Sequence, residues 1–268
     1  MEETYETIEY RGFNINVICD IEPMNPITEW DMLGKMVCWH SRYYLGHEQP
    51  TEDAEEYAKQ LAIDADPSIE DKIEYWDNGN GWVMLSNKQL EAKATDVVFK
   101  AVEESDKRVN DLIQNALSKH YIILPLYLYD HSGITISTSS FSCPWDSGQV
   151  GYIYVSIKQV KEEWGRKNMS YKFRKQIIDH LVSNVEVYDQ YLTGDVYGFQ
   201  IEPKDTNKHI DCDDSCWGFF GSDHEKNGLL EHAKPAIDYA IKDYKKQVIE
   251  NYLERKQTAK FMRECWAD

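Results

Sequence analysis

At about residue 120 the hydrophobic period of the chain changes, and that change alone rules out an all-helical or an all-strand fold. From Val97 through Val98, Ala101, Val102, Val109, Leu112 and Ile113 to Leu117, apolar residues recur at helical intervals. Ser86 is the expected start of this helix, and its stripe reads as core packing rather than as a cofactor box. The run that follows, Tyr121 to Tyr129, is too short and too rich in aromatic and branched side chains for another helix. It reads as a central strand, with Ile134 to Ser139 and Gly151 to Lys158 as its partners.

The flanking segments carry the same two periods. Ile8 and Tyr10 before Arg11-Gly12, and Phe13, Ile15, Val17 and Cys19 after it, alternate as in a hairpin with one buried face. Met36 to Trp39 predicts a short strand. Thr51 is placed to cap a helix running to about Ala62, Asp66-Pro67 breaks it, and Ser68 is placed to cap a second helix to about Trp76, before the turn Asn78-Gly79-Asn80-Gly81. A helix from about Met169 to Leu192 ends at Gly194, strands follow at Val196 to Ile201 and about His209 to Phe219, and a last helix starts near Pro235. The fold class is therefore α+β, a mixed or antiparallel central sheet flanked by long helices, with an acidic N-terminal section. The expected division is 1–85 for that section and 86–268 for the main body, one continuous domain being the alternative.

Charge narrows the partners. The chain has 268 residues and a formal net charge of −18. Residues 1–80 hold 19 carboxylates against 5 lysines and arginines, and the remaining 188 residues hold 28 against 24. A field of that sign repels nucleic acid and membranes and favours basic protein surfaces, although such carboxylates can also be a solubilising face. The densest cationic group, Lys242, Lys245, Lys246, Arg255 and Lys256, lies on an amphipathic helix as its solvated side. No apolar run approaches the roughly 20 residues that span a bilayer, and Met1-Glu2-Glu3-Thr4 does not open a secretory signal. A soluble protein kept in the cytoplasm is expected, with its six cysteines as reduced thiols.

Five segments, Glu29-Trp30-Asp31-Met32-Leu33-Gly34, Leu124 to Gly133, Phe141 to Gly151, Tyr188 to Gly194 and Ser215 to Gly221, resemble in their order a family of uncharacterised phage- and plasmid-borne acidic proteins. The resemblance spans roughly residues 6 to 221. It implies a mobile-element setting and a role in infection, transfer or evasion of host defence. It brings no reaction and no catalytic residues with it.

These segments also place polar groups beside aromatics in loops at strand ends, where chemistry is commonly sited. A thiol site would use Cys143 as nucleophile and His131 as base, with Asp130 or Asp146 orienting it and Gln149 nearby. The plainer reading makes Cys143 a small buried hydrophobe and Asp146 a local cap. A carboxylate site would use Asp189 with Glu186 or Asp195. His209, Cys212 and Cys216, with His224 downstream, have a weak metal-ligand spacing. No cofactor is expected, because phosphate loop, dinucleotide fingerprint, nucleophile elbow and zinc-protease helix are all missing from the sequence. The leading expectation is a protein that binds and inhibits a host complex with a basic surface. Its contacts would be Glu52, Asp53, Glu55, Glu56, Glu70, Asp71 and Glu74, carboxylates on two helices that need no other partner. An enzyme using His131, Cys143, Asp146 and Gln149 is the alternative. The stripe of the last helix is also compatible with a homo-oligomer.

Overall fold

The structure, a computed structural model, describes residues 4–77 and 94–265. The turn expected at Asn78 to Gly81 and the helix start expected at Ser86 lie outside these residues. In chain order the elements are β1 (Thr4–Tyr10), β2 (Phe13–Cys19), α1 (Pro26–Glu29), β3 (Lys35–Cys38), α2 (Ala54–Ala65), α3 (Glu70–Asp77) and α4 (Ala94–His120). Then come β4 (Tyr121–Asp130), β5 (Ile134–Ser137), β6 (Ser147–Ser156), α5 (Ile157–Glu163), α6 (Tyr171–Thr193), β7 (Val196–Pro203), β8 (Ser215–Phe220) and α7 (Leu229–Cys265). The α+β class and the antiparallel pairing are as read from the sequence. The strands divide between two four-stranded sheets, β1-β2-β7-β8 and β3-β6-β4-β5.

The chain forms two compact units, Met1–Glu29 with Val187–Asp268, and Trp30–Glu186. Neither boundary falls at residue 85. The N-terminal hairpin does not stay with the acidic helices, because β2 pairs along its whole length with β7, from Phe13↔Pro203 to Cys19↔Tyr197.

In the first unit the hairpin turns on Arg11 and Gly12, whose φ values of 49° and 82° are both positive. That is the two-residue turn whose twist matches paired strands. It fixes the register that sends Phe13, Ile15 and Val17 to one face, where none is exposed. They meet Phe199 and Ile201 of β7 and Leu229, Leu230, Ala233 and Ile237 of α7. Helix α7 therefore starts before Pro235 and contains it, with Asn227 Oδ1 accepting from Leu229 N at 2.9 Å as the cap. Burying Leu229, Leu230 and Ala233 outweighs the roughly 3 kcal/mol that an interior proline costs. The strand expected from His209 forms only at Ser215–Phe220. Ile210 and Cys212 alternate into the core as strand residues would, but Asp211 between them and Asp213 and Asp214 after them disfavour a ladder.

In the second unit the sheet uses both faces. One carries Met36, Cys38, Ile122, Leu126, Ile153 and Val155, all buried. On this face Ile153 and Leu181 of α6 converge on Gly34, where an added Cβ would lie 2.5 to 2.6 Å from their side chains. The opposite face carries Val37, Trp39, Ile123, Pro125, Tyr152 and Tyr154. Helices α2, α3 and α4 pack together through Ala62, Ile69, Ile73, Ile113, Ala116 and Leu117. Pro125 sits within β4 because β5 covers that strand only from Tyr127 onward, so one edge is open to a residue without an N–H. The strand expected from Gly151 to Lys158 starts earlier and gives way at Ile157 to α5, where Ser156 Oγ accepts from Lys158 N.

Candidate functional site

Antiparallel pairing of β4 with β6 brings the ends of those strands, and the loops they carry, together in the second unit. Asp130 N donates to Asp146 O at 2.8 Å. On this base His131 Nδ1 lies 3.4 Å from Asp146 Oδ2, and the Cys143 thiol points to the same oxygen at 3.7 Å. Ser147 donates to the Cys143 carbonyl, and Arg42 is ion-paired with Asp130. Three of the four residues proposed for a thiol site thus meet. Gln149 is exposed, and its amide donates at 3.4 Å to Gly151 O of its own strand. The order is the finding that matters: a thiol nucleophile needs the base between itself and the orienting acid, whereas here the carboxylate stands between thiol and imidazole. The imidazole is also 63% exposed, so the loop is open to water.

The acidic face lies on α2 and α3. Residues 52–77 contain ten carboxylates and two lysines, and Glu52, Asp53, Glu55, Glu56, Glu70, Asp71 and Glu74 are all exposed. Asp53, however, has a local partner, since its Oδ1 accepts from Glu55 N at 3.0 Å and Glu56 N at 2.9 Å. Asp53 and not Thr51 is the cap, because its carboxylate reaches the two leading amides while the Thr51 hydroxyl turns to Glu52. Asp66, not Ser68, does the same job at the next helical turn. The hydrogen bond from Ser68 holds its carboxyl below the usual range. Lys59 joins the helices through Asp77 at 2.8 Å, with Glu56 at 4.0 Å. Asp53 is thus committed to the helix, while Glu52 and Glu56 have only these looser exposed contacts and Glu55, Glu70, Asp71 and Glu74 stand exposed beside them.

Behind this face lies a cavity of about 260 Å³ between α2, α4 and the sheet. Ala54, Tyr57, Ala58 and Leu61 of α2, Gln114 and Leu117 of α4, and Val37, Trp39, Ile123, Pro125, Tyr152 and Tyr154 of the sheet line it. The rings of Tyr57 and Tyr152 stand at 80° and 81° to that of Trp39, at 5.6 and 6.4 Å. Two of its hydroxyls are already engaged: Tyr57 and Tyr154 are 2.9 Å apart, and Tyr57 donates to Glu48 at 3.3 Å. Glu48 is in turn ion-paired with Lys35. Burial, then the bond to Tyr154, pushes the Tyr57 phenol well above its usual value. Burial acts against the Lys35 ammonium, but hydrogen bonds to Glu48 and Tyr154 prevail and its pKa is raised. The cavity thus offers ring surfaces and, at Tyr57, a phenol that burial keeps protonated. The repeat Tyr152-Ile153-Tyr154 on one strand was the legible hint, since alternate positions share a face.

Among the described residues no group of three or more His, Cys, Asp or Glu side chains is placed to hold a metal ion. His209, Cys212 and Cys216, whose spacing is weakly metal-like, do not form such a group. The His209 ring packs on Tyr244 at 4.7 Å, Cys212 is buried in the core, and the Cys216 thiol turns to Trp217 O at 3.9 Å. Burial, followed by Asp214, Asp211 and Asp213, raises the Cys212 thiol. His224 lies edge-on between Tyr5 and Tyr197. Of the carboxylate alternative, Asp195 takes a hydrogen bond from Tyr197, Asp189 O accepts from Thr193, and Glu186 is exposed on α6. Among the described residues no helix is long and apolar enough to cross a membrane. Comparisons with protein-family models, with curated proteins and with solved structures returned no match.

Proposed function

We propose that the chain is an interaction protein of a mobile element that acts in the host cytoplasm, binding a host protein complex through α2 and α3 and inhibiting it. The observation that carries this reading is the exposed, nearly unbalanced carboxylate surface of residues 52–77. A field of that density is complementary to a basic groove, such as that of a defence complex that handles nucleic acid, and sets orientation and on-rate. Direct nucleic-acid binding is opposed by the same charge. The enzyme alternative is favoured by the convergence of His131 and Cys143 on Asp146, and opposed by the order in which they stand.

The test is retention of a host complex on the immobilised protein at low and high salt, beside the variant Glu55→Lys/Glu56→Lys/Glu70→Lys/Asp71→Lys. One stoichiometric complex, held at low salt, released by salt and lost in the variant with the fold intact, is the expected result. Equal retention by the variant at moderate salt would overturn the reading.

A further inference from the structure

We infer that the aromatic cavity of the second unit is a pocket for one arginine side chain of a basic protein partner. The inference rests on the proposed binding role and adds to it the chemistry of the anchoring residue. Size comes first. At about 260 Å³ the cavity falls just below the range of roughly 300–1,000 Å³ that holds drug-sized ligands, so it suits a single side chain rather than a nucleotide or a cofactor.

The walls select the kind of side chain. Trp39, Tyr57, Tyr152 and Tyr154 supply four rings, two of them near-perpendicular to the indole. Two of the three phenol hydroxyls, those of Tyr57 and Tyr154, are closed into a network with Glu48 and Lys35, which leaves mainly ring surface facing a guest. Ring quadrupoles attract a cation, and tryptophan does so best. The rim has the matching sign. Ala54, which lines the cavity, opens α2 between Glu52 and Asp53 on one side and Glu55 and Glu56 on the other. Asp53 also caps the amides that would otherwise present positive charge there.

Arginine fits better than lysine. Its guanidinium is planar, weakly hydrated and stacks on aromatic faces, and its stem covers apolar wall such as Val37, Ala58 and Leu61. A compact ammonium would lose more hydration on entry. Arginine is also, with tryptophan and tyrosine, one of the residues enriched among the buried anchors of protein interfaces.

The test is calorimetric titration of the full chain with a capped peptide, lysine-glycine-arginine-glycine-lysine, and with analogues carrying citrulline or norleucine in place of the arginine. The cavity is filled in a second protein, Ala58→Phe, which adds bulk at a half-buried alanine and removes nothing. The expected result is that both analogues bind at least about tenfold more weakly than the arginine peptide, and that Ala58→Phe loses about tenfold while its circular dichroism and thermal midpoint are kept. Equal binding of norleucine would overturn the cation assignment. Equal binding by Ala58→Phe, or no binding of the arginine peptide, would overturn the pocket. A host complex retained by Ala58→Phe but lost by the charge-reversed variant would reject the pocket and leave the acidic-face reading standing.

Discussion

Both sheets are four-stranded and antiparallel, yet they are finished in different ways. In the first unit one face of the sheet is sealed by α7, with Phe13, Phe199, Ile201 and Ile237 in contact and almost wholly buried. In the second unit one face is sealed in the same manner, around Met36, Ile153 and Leu126. The other is roofed by α2, which turns Ala54, Tyr57, Ala58 and Leu61 toward Trp39, Tyr152 and Tyr154. Where its two alanines face those rings space is left, and the same layered architecture yields a core in one place and a pocket in the other.

The sharpest way to break this comparison is truncation on each side. Phe199→Ala should cost about 3–5 kcal/mol, because its place in the sealed face cannot refill. Tyr152→Ala should cost clearly less, since its ring already borders open volume. Urea unfolding measures both, and equal losses would mean that the two faces are packed alike.

A smaller effect follows from His47 beside β3. Its Nδ1 accepts from Met36 N at 3.0 Å, and burial, then the nearby Lys35, lowers its pKa from the usual 6.5. The unfolded chain therefore takes up this proton more readily than the folded one. The stability it confers is full above 6.5 and is lost as pH falls from there through the lower folded value. The thermal midpoint should drop on going from about pH 7.5 to 5.5, and His47→Gln should flatten that part of the profile. An unchanged profile in the variant would remove His47 from the account. Smallest of all, Asp53→Ala should cost about 1 kcal/mol through loss of the α2 cap, read again by urea unfolding.

Much of this fold was legible from local pattern, for stated reasons. The hairpin, β4 and α6 were readable because alternation or helical spacing coincides there with a turn or cap residue, Arg11-Gly12 or Gly194. Misreadings arose where tertiary burial overrode a local sign. Pro235 looked like a helix start until Leu229 and Ala233 needed the core. Ile210 and Cys212 alternate without pairing, because burial and strand formation leave the same mark on a sequence. Of the candidate sites, the acidic face could be located by counting charges. The order of Cys143, Asp146 and His131 could not, since spacing along the chain carries no information on which side chain stands in the middle. The cavity was hidden for a related reason, as Trp39, Tyr57 and Tyr154 come together only when β3, α2 and β6 do.

The pairing of β2 with β7 also sets a timetable for synthesis. The hairpin leaves the ribosome well before β7, since Phe13 lies opposite Pro203, about 190 residues further on. At roughly 5–20 residues per second the interval is on the order of 10–40 s. Throughout it, a two-stranded ribbon with Phe13, Ile15 and Val17 uncovered waits for its neighbour, and such a ribbon is barely stable alone. Slow translation or a long fusion inserted before Val196 would lengthen that exposure. Yield in the cell should then depend on chaperones that shield the nascent edge, even where the finished protein is stable.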